Sequence, residues 1–222
     1  MSAPLQWSIL IPTLAGRQAS LARLLDVLLP QAEAVPGIEV VALYNNGSRP
    51  LTDIRQDLLD DARGEFISFI DDDDLVVPDF AYTVIMAMGD PDTDAVGFQA
   101  RIFEDGDPVQ LAFHSIRFTR QWFADISGAY RDWTLLNPVR TAIARKGDFR
   151  LCRELGEDYD FRSQIAHLLH RDEYIPRVLY LYYSSPAAGH RAWSAPGARP
   201  VPALPRPAVA SPAFRWHEAS LP

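Results

Sequence analysis

Apolar and polar positions come in blocks along the first hundred residues, and the blocks follow two different periods. Residues 6–12 (QWSILIP) form a short apolar run closed by proline, the pattern of a strand buried on both faces. Leu21, Leu24, Leu25, Leu28 and Leu29 recur at helical spacing, with Ser20 as N-cap and Pro30 as the expected end of the helix. Residues 39–44 (EVVALY) predict a second strand, followed by the turn residues Asn45, Asn46, Gly47 and Ser48. Residues 53–62 predict a helix, and residues 66–70 (FISFI) a third strand that runs directly into four aspartates. Ala81, Val84, Ile85 and Met88 repeat at i, i+3, i+4 and i+7, so a helix follows Pro78, and residues 95–103 read as another strand. This alternation predicts an α/β fold, a mostly parallel, Rossmann-like sheet with flanking helices.

The second half is less regular. Residues 111–118 alternate well enough for a strand, whereas residues 121–133 are aromatic and carry no clear period. Glu157 opens a helix with Phe161, Ile165, Leu168 and Leu169 on one face, and residues 174–183 predict a final strand. Eight of the 37 residues from Pro186 onward are proline. Residues 186–222 are therefore expected to form an extended Pro/Ala-rich tail on a domain spanning 1–185.

Charge and cysteine content narrow the function classes. Residues 1–110 carry 19 acidic side chains against 6 arginines, and residues 111–222 carry 10 against 15 basic ones, which together give the net −8. Such a protein gains no general attraction to nucleic acid, and the basic excess of the second half reads first as solvated surface. A single cysteine, Cys152, excludes an internal disulfide and a thiolate metal cluster. No apolar run approaches the roughly 18 residues of a membrane span, and Met1-Ser2-Ala3-Pro4 has no basic leader character, so a cytoplasmic protein is expected.

The candidate chemistry lies in two acidic clusters. Asp71, Asp72, Asp73 and Asp74 follow an apolar strand, so they stand at its C-terminal end, where open α/β sheets bind ligands. Four adjacent carboxylates repel one another unless a cation neutralises them, and an all-oxygen ligand set favours Mg²⁺ or Mn²⁺. The second cluster is Gly156-Glu157-Asp158-Tyr159-Asp160. Acidic residues in a first helical turn complement the helix dipole, but beside a metal-binding cluster an ionised aspartate is also a candidate general base.

Taken in order, these segments resemble a known family. Ser8-Ile9-Leu10-Ile11-Pro12-Thr13, Glu39-Val40-Val41 leading to Asn46-Gly47-Ser48, Ala62-Arg63-Gly64-Glu65-Phe66-Ile67, the four aspartates and Gly156-Glu157-Asp158-Tyr159-Asp160 follow the sequence of motifs in family 2 glycosyltransferases of the GT-A fold. The resemblance spans roughly residues 6–185. It implies a nucleotide-sugar-binding half over residues 1–110 and an acceptor-binding half over 111–185. It further implies a metal-dependent, inverting glycosyltransferase of the hexosyltransferase type.

By the same resemblance, Pro12, Thr13 and Arg17 line the nucleotide pocket, Asn46 faces the base, and Arg55 approaches the nucleotide. Asp71-Asp72-Asp73 is the Asp-X-Asp motif, with Asp71 and Asp73 on the metal and Asp72 near the ribose. Asp158 is the implied base with Glu157 beside it, and His190 is the late histidine that joins the metal or diphosphate. Two departures stand out: Asn45-Asn46 replaces the usual acidic pair, and Asp71 comes only 26 positions after Asn45. A UDP-sugar is the favoured donor, with the base left open by Asn46. Saccharide, lipid-linked sugar, protein and modified nucleic-acid base all remain compatible acceptors. The tail is expected to serve as a lid, through Gly189, His190, Arg191 and Trp193, or as a homo-oligomer contact.

Two rival readings use the same residues. A haloacid dehalogenase-type phosphatase would employ Asp71 as nucleophile with Asp73, Lys146 and Asp158 or Asp160. A catalytically inactive nucleotide-sugar-binding module would keep the donor site without turnover.

Overall fold

A computed structural model describes residues 5–118, 123–125, 127–184 and 211–219. Three parallel strands make the first half of the sheet: β1 (Trp7–Leu14), β2 (Ile38–Asn45) and β3 (Phe66–Phe69). β1 lies between the other two, with Trp7 opposite both Ile38 and Phe66. Every residue of these strands is buried, so they read as continuous apolar runs and not as alternating ones. Successive side chains still point to opposite faces. Ile9 and Ile11 pack against helix α1 (Gln18–Ala34), whereas Leu10 and Val41 pack against helix α2 (Leu51–Asp61).

Helix α1 runs past Pro30, where its end was expected. Pro30 and Asp26, whose carbonyl loses its partner, both lie on the exposed face, where solvent can take the place of the lost bond. Gln31 secures the extra turn by donating to the Val27 and Val77 carbonyls and accepting from the Ala81 amide.

The second half consists of β4 (Leu75–Val76), α3 (Phe80–Ala87), β5 (Ala95–Glu104), β6 (Asp107–His114), β7 (Phe123–Asp125), β8 (Gly128–Arg131), β9 (Val139–Arg140), α4 (Thr141–Ala144), α5 (Glu157–Ile165), β10 (Asp172–Ser184) and β11 (Phe214–Glu218). The strand order is β11-β2-β1-β3-β9-β5-β6-β8-β7, with β10 against β5 and β4. The sheet is mixed, where a mostly parallel one was expected. Short β9 enters antiparallel between β3 and β5, and β5 and β6 form a hairpin. That hairpin turns at Asp105 and Gly106, both with positive φ, a conformation glycine adopts without cost. β10 shifts register on β5 between Ile175 and Val178, around Pro176, which cannot donate to a ladder.

The tail departs from expectation as well. Phe214–Glu218 pairs parallel with β2 and forms the sheet edge. Trp216 stacks on Tyr44, and Arg215 bridges Glu39 and Asp61. The expected boundary at residue 185 therefore excludes a strand of the sheet. The physical reason is local: residues 213–221 contain no proline, while the average composition around them does not suit a strand.

Candidate active site

The parallel register of β1 and β3 brings the ends of both strands to one edge of the sheet. β1 continues past its last pairing with β3, Leu10 with Phe69, so Thr13 stands beside the aspartate turn that follows β3. Thr13 Oγ1 donates to Asp72 Oδ2 at 2.6 Å, and Arg17 Nη1 donates to Asp72 Oδ1 at 2.8 Å and lies 3.0 Å from Asp73 Oδ2. Asp72 is buried, and burial pushes its carboxyl up to about 6 against the opposing pull of Arg17 and Thr13. Asp74 is buried on the other side, accepting from Tyr180 Oη at 2.7 Å and the Tyr183 amide at 2.8 Å. Burial first, and then Asp71, raise its carboxyl well above the usual range.

The turn thus sorts four identical residues into two pairs. Asp72 and Asp74 clamp it to β1 and β10, whereas the side chains of Asp71 and Asp73 stay 43% and 32% exposed. Asp72, expected at the ribose, has both carboxylate oxygens engaged within the protein. Asp71 and Asp73, each paired with an arginine through one oxygen, still present partly exposed carboxylates. Such a pair suits Mg²⁺ or Mn²⁺, which take one or two carboxylates and complete their shell with substrate phosphates. Among the described residues no group of three His, Cys, Asp or Glu side chains is placed to hold a metal ion. His190 lies outside the described residues, as does the remainder of the expected lid from residue 185 onward.

The second acidic cluster reaches the same place through Arg55. Gly156 takes φ +98°, which turns the chain into α5 so that Glu157 and Asp158 face α2. Arg55, on α2, is buried, and its guanidinium lies over the Phe69 ring. Its Nη2 is 3.1 Å from Asp71, 3.6 Å from Glu157 and 3.9 Å from Asp158. Burial alone would lower the Arg55 pKa, but the carboxylates of Asp71, Asp158 and Glu157 outweigh it and raise it further. Glu157 is raised by burial, with Arg55 opposing. Arg55, expected to approach the nucleotide, lines the cavity between the aspartate turn and the base candidate. Asn45 is buried and organises the loop after β2, donating to the Arg49 carbonyl, while partly exposed Asn46 accepts from the Ser48 amide.

Asp71, Arg55 and Asp158 border a cavity of about 240 Å³ whose far wall comes from β6, β8 and β10. His114, Arg131, Tyr180 and Tyr182 form that wall. His114 is buried, with Thr134 Oγ1 3.3 Å from its Nδ1. Burial and the adjacent Arg131 lower its pKa to about 3, so the ring is neutral. These wall residues have no signature in the sequence; they lie on separate strands whose pairing brings them together. Lys146, required by a phosphatase reading, is exposed after α4 and does not line the cavity.

Solved structures share this fold. The chain superposes on S. aureus TarS residues 1–349 in complex with UDP-GlcNAc with a TM-score of 0.61 and 17% identity, over 86% of this chain and 61% of that one. TarS is a GT-A glycosyltransferase. The chain has the GT-A fold. The same TarS fragment without ligand gives a TM-score of 0.60 at 17% identity, over 80% of this chain and 60% of that one. The mannosyltransferase PcManGT from Pyrobaculum calidifontis, in complex with GDP-Man and Mn²⁺, gives 0.53 at 16% identity, over 86% and 62%. The chain thus spans about 60% of the TarS 1–349 fragment and of PcManGT, and 37% of the longer TarS chain. No protein-family model and no curated protein sequence matches it. The aspartates follow the third strand of this sheet, whereas the phosphatase reading expects them after the first. No helix among the described residues is long and apolar enough to cross a membrane.

Proposed function

We propose that this chain is a metal-dependent, inverting glycosyltransferase that uses a nucleotide-sugar donor, with a UDP-sugar favoured. The observation that carries the reading is the convergence of Asp71 and Asp158 on one buried guanidinium at the rim of one cavity. It joins a pair of partly exposed carboxylates suited to a metal to a half-exposed carboxylate able to take a proton.

Asp71 and Asp73 are the residues that would hold Mn²⁺ or Mg²⁺, which would supply neutralisation of charge on the leaving diphosphate. Pro12, Thr13, Arg17 and Asn46 border the nucleotide side, where Arg17 and Thr13 act chiefly by fixing Asp72. Asp158 accepts the proton of the acceptor hydroxyl as its oxygen bonds to the anomeric carbon. The bond from that carbon to the diphosphate oxygen breaks on the opposite face, and the electron pair leaves with the diphosphate. Arg55 and Glu157 position Asp158. General-base assistance of this kind contributes about 10²–10⁴-fold.

Thermal shift with a panel of nucleotide sugars, with and without Mn²⁺, tests the donor. Donor hydrolysis or transfer by the wild type and Asp158→Asn then separates an enzyme from a binding module. Metal-dependent donor binding with no turnover toward water or any acceptor leaves the binding module; metal-independent binding removes the proposed role of Asp71 and Asp73.

A further inference from the structure

A groove of about 830 Å³ adjoins the smaller cavity, and Tyr159 and Arg162 line both. Helix α5 explains the continuity. Its Phe161 and Ile165 are buried, so Tyr159, Arg162 and Ser163, at i, i+3 and i+4, present one wall to the groove. Asp158 and Arg162 are themselves i and i+4. One helical turn therefore leads from the proposed base into the groove.

The chemistry of the groove is balanced. Arg162 Nη1 bonds Asp132 Oδ2 at 3.0 Å, and Arg117 Nε bonds Asp172 Oδ1 at 3.2 Å, so two of the three arginines that line it are held by carboxylates that also line it. Arg171 is likewise surrounded by Asp90, Asp92 and Glu173. No net positive surface remains to select a polyanion, and no broad apolar floor to hold a lipid chain. The Arg162 guanidinium lies over one face of the Tyr159 ring, 4.8 Å from its centroid, and the ring is 56% exposed. This combination matches a ring that carries hydroxyls on its edge and apolar C–H groups on its face.

We propose that the groove is the acceptor subsite for a neutral oligosaccharide chain. The terminal hydroxyl sits at Asp158, the next unit stacks on Tyr159, and Arg162 and Arg117 bond the hydroxyls beyond it. The volume, more than three times that of the inner cavity, accommodates more than one unit. This assignment rests on the transferase reading above.

The test is retention of the full chain, with UDP and Mn²⁺, on immobilised gluco- and manno-oligosaccharides of one to six units. Uronic-acid oligomers and peptides are included on the same panel. Retention is expected to rise about tenfold between one unit and three or more. Tyr159→Ala, at an exposed position, is expected to lower the longer chains to the single-unit level without changing Tm. Ser163→Trp fills the groove from a residue outside the inner cavity and is expected to abolish the length dependence alone. Equal retention of all lengths overturns the proposal, as does exclusive retention of uronates or peptides, or wild-type behaviour in both variants. Thermal shift with nucleotide sugars on the same wild-type sample separates the two failures. Absent donor binding defeats the transferase reading and the groove with it, whereas donor binding without length dependence defeats the groove alone.

Discussion

The Arg55 guanidinium stands between Asp71 and Asp158, 3.1 Å from one carboxylate and 3.9 Å from the other. Glu157 completes the group at 3.6 Å. One buried cation thus offsets three acidic side chains contributed by two separate elements. Arg55→Met is expected to leave those charges facing one another and to destabilise the fold by about 3–5 kcal/mol. Urea unfolding measures this, and a loss under about 1 kcal/mol would show that the acidic group tolerates itself without Arg55.

Asp158→Asn preserves side-chain size and removes proton acceptance. Turnover is expected to fall about 10²–10⁴-fold with donor affinity unchanged. Steady-state kinetics and calorimetry check the two halves of that statement. A variant that keeps half the wild-type rate excludes Asp158 as the base.

Asp73→Asn is expected to weaken the Mn²⁺-dependent part of nucleotide binding, since a neutral amide is a poorer ligand for a hard divalent cation. Asp72→Asn has a different expected outcome. It touches the clamp to Thr13 and Arg17, so Tm falls as well. Calorimetry with and without metal, paired with thermal melts, distinguishes the two positions.

His114 predicts a pH dependence of stability. Its pKa is held at about 3 in the folded chain, below the ordinary 6.5. The unfolded state therefore binds more protons as the pH drops through the interval between those values. The stability His114 contributes is complete above about pH 6.5 and is lost progressively below it. His114→Asn is expected to flatten the acid side of the stability curve, read as urea midpoints from pH 7.5 to 4.5. Parallel curves for both proteins would remove His114 as the source.

Truncation after Ala210 removes β11 and leaves the edge of β2 unpaired. Lower stability and concentration-dependent association are expected, measured by thermal melts and light scattering. Arg215→Ala tests the same contact more gently, through loss of the bridge to Glu39 and Asp61. A truncation after Tyr183 also deletes this strand, so lost activity in that protein would not isolate the segment between β10 and β11.

The sequence alone determined the first half of the fold. Runs such as WSILIP and FISFI, and leucines spaced by three and four, state locally which residues are buried, and burial of this kind dictates β1, α1, β2, α2 and β3. It also marked Asp71 and Asp73, because aspartates directly after an apolar strand must lie at the strand's C-terminal end. The hairpin at Asp105-Gly106 was not expected, with strands placed at 95–103 and 111–118, although that dipeptide favours the positive φ angles of a two-residue turn. What only the tertiary structure decided is which of four identical aspartates face inward. Thr13, Arg17, Tyr180 and the Tyr183 amide make that choice, and they belong to elements up to 109 positions from the aspartates they bind. The same holds for Arg55 between the aspartate turn and Asp158, for His114 and Arg131 in the cavity wall, and for Phe214–Glu218 on the sheet edge. Periodicity records that a residue is buried; strand order and register determine what it is buried against.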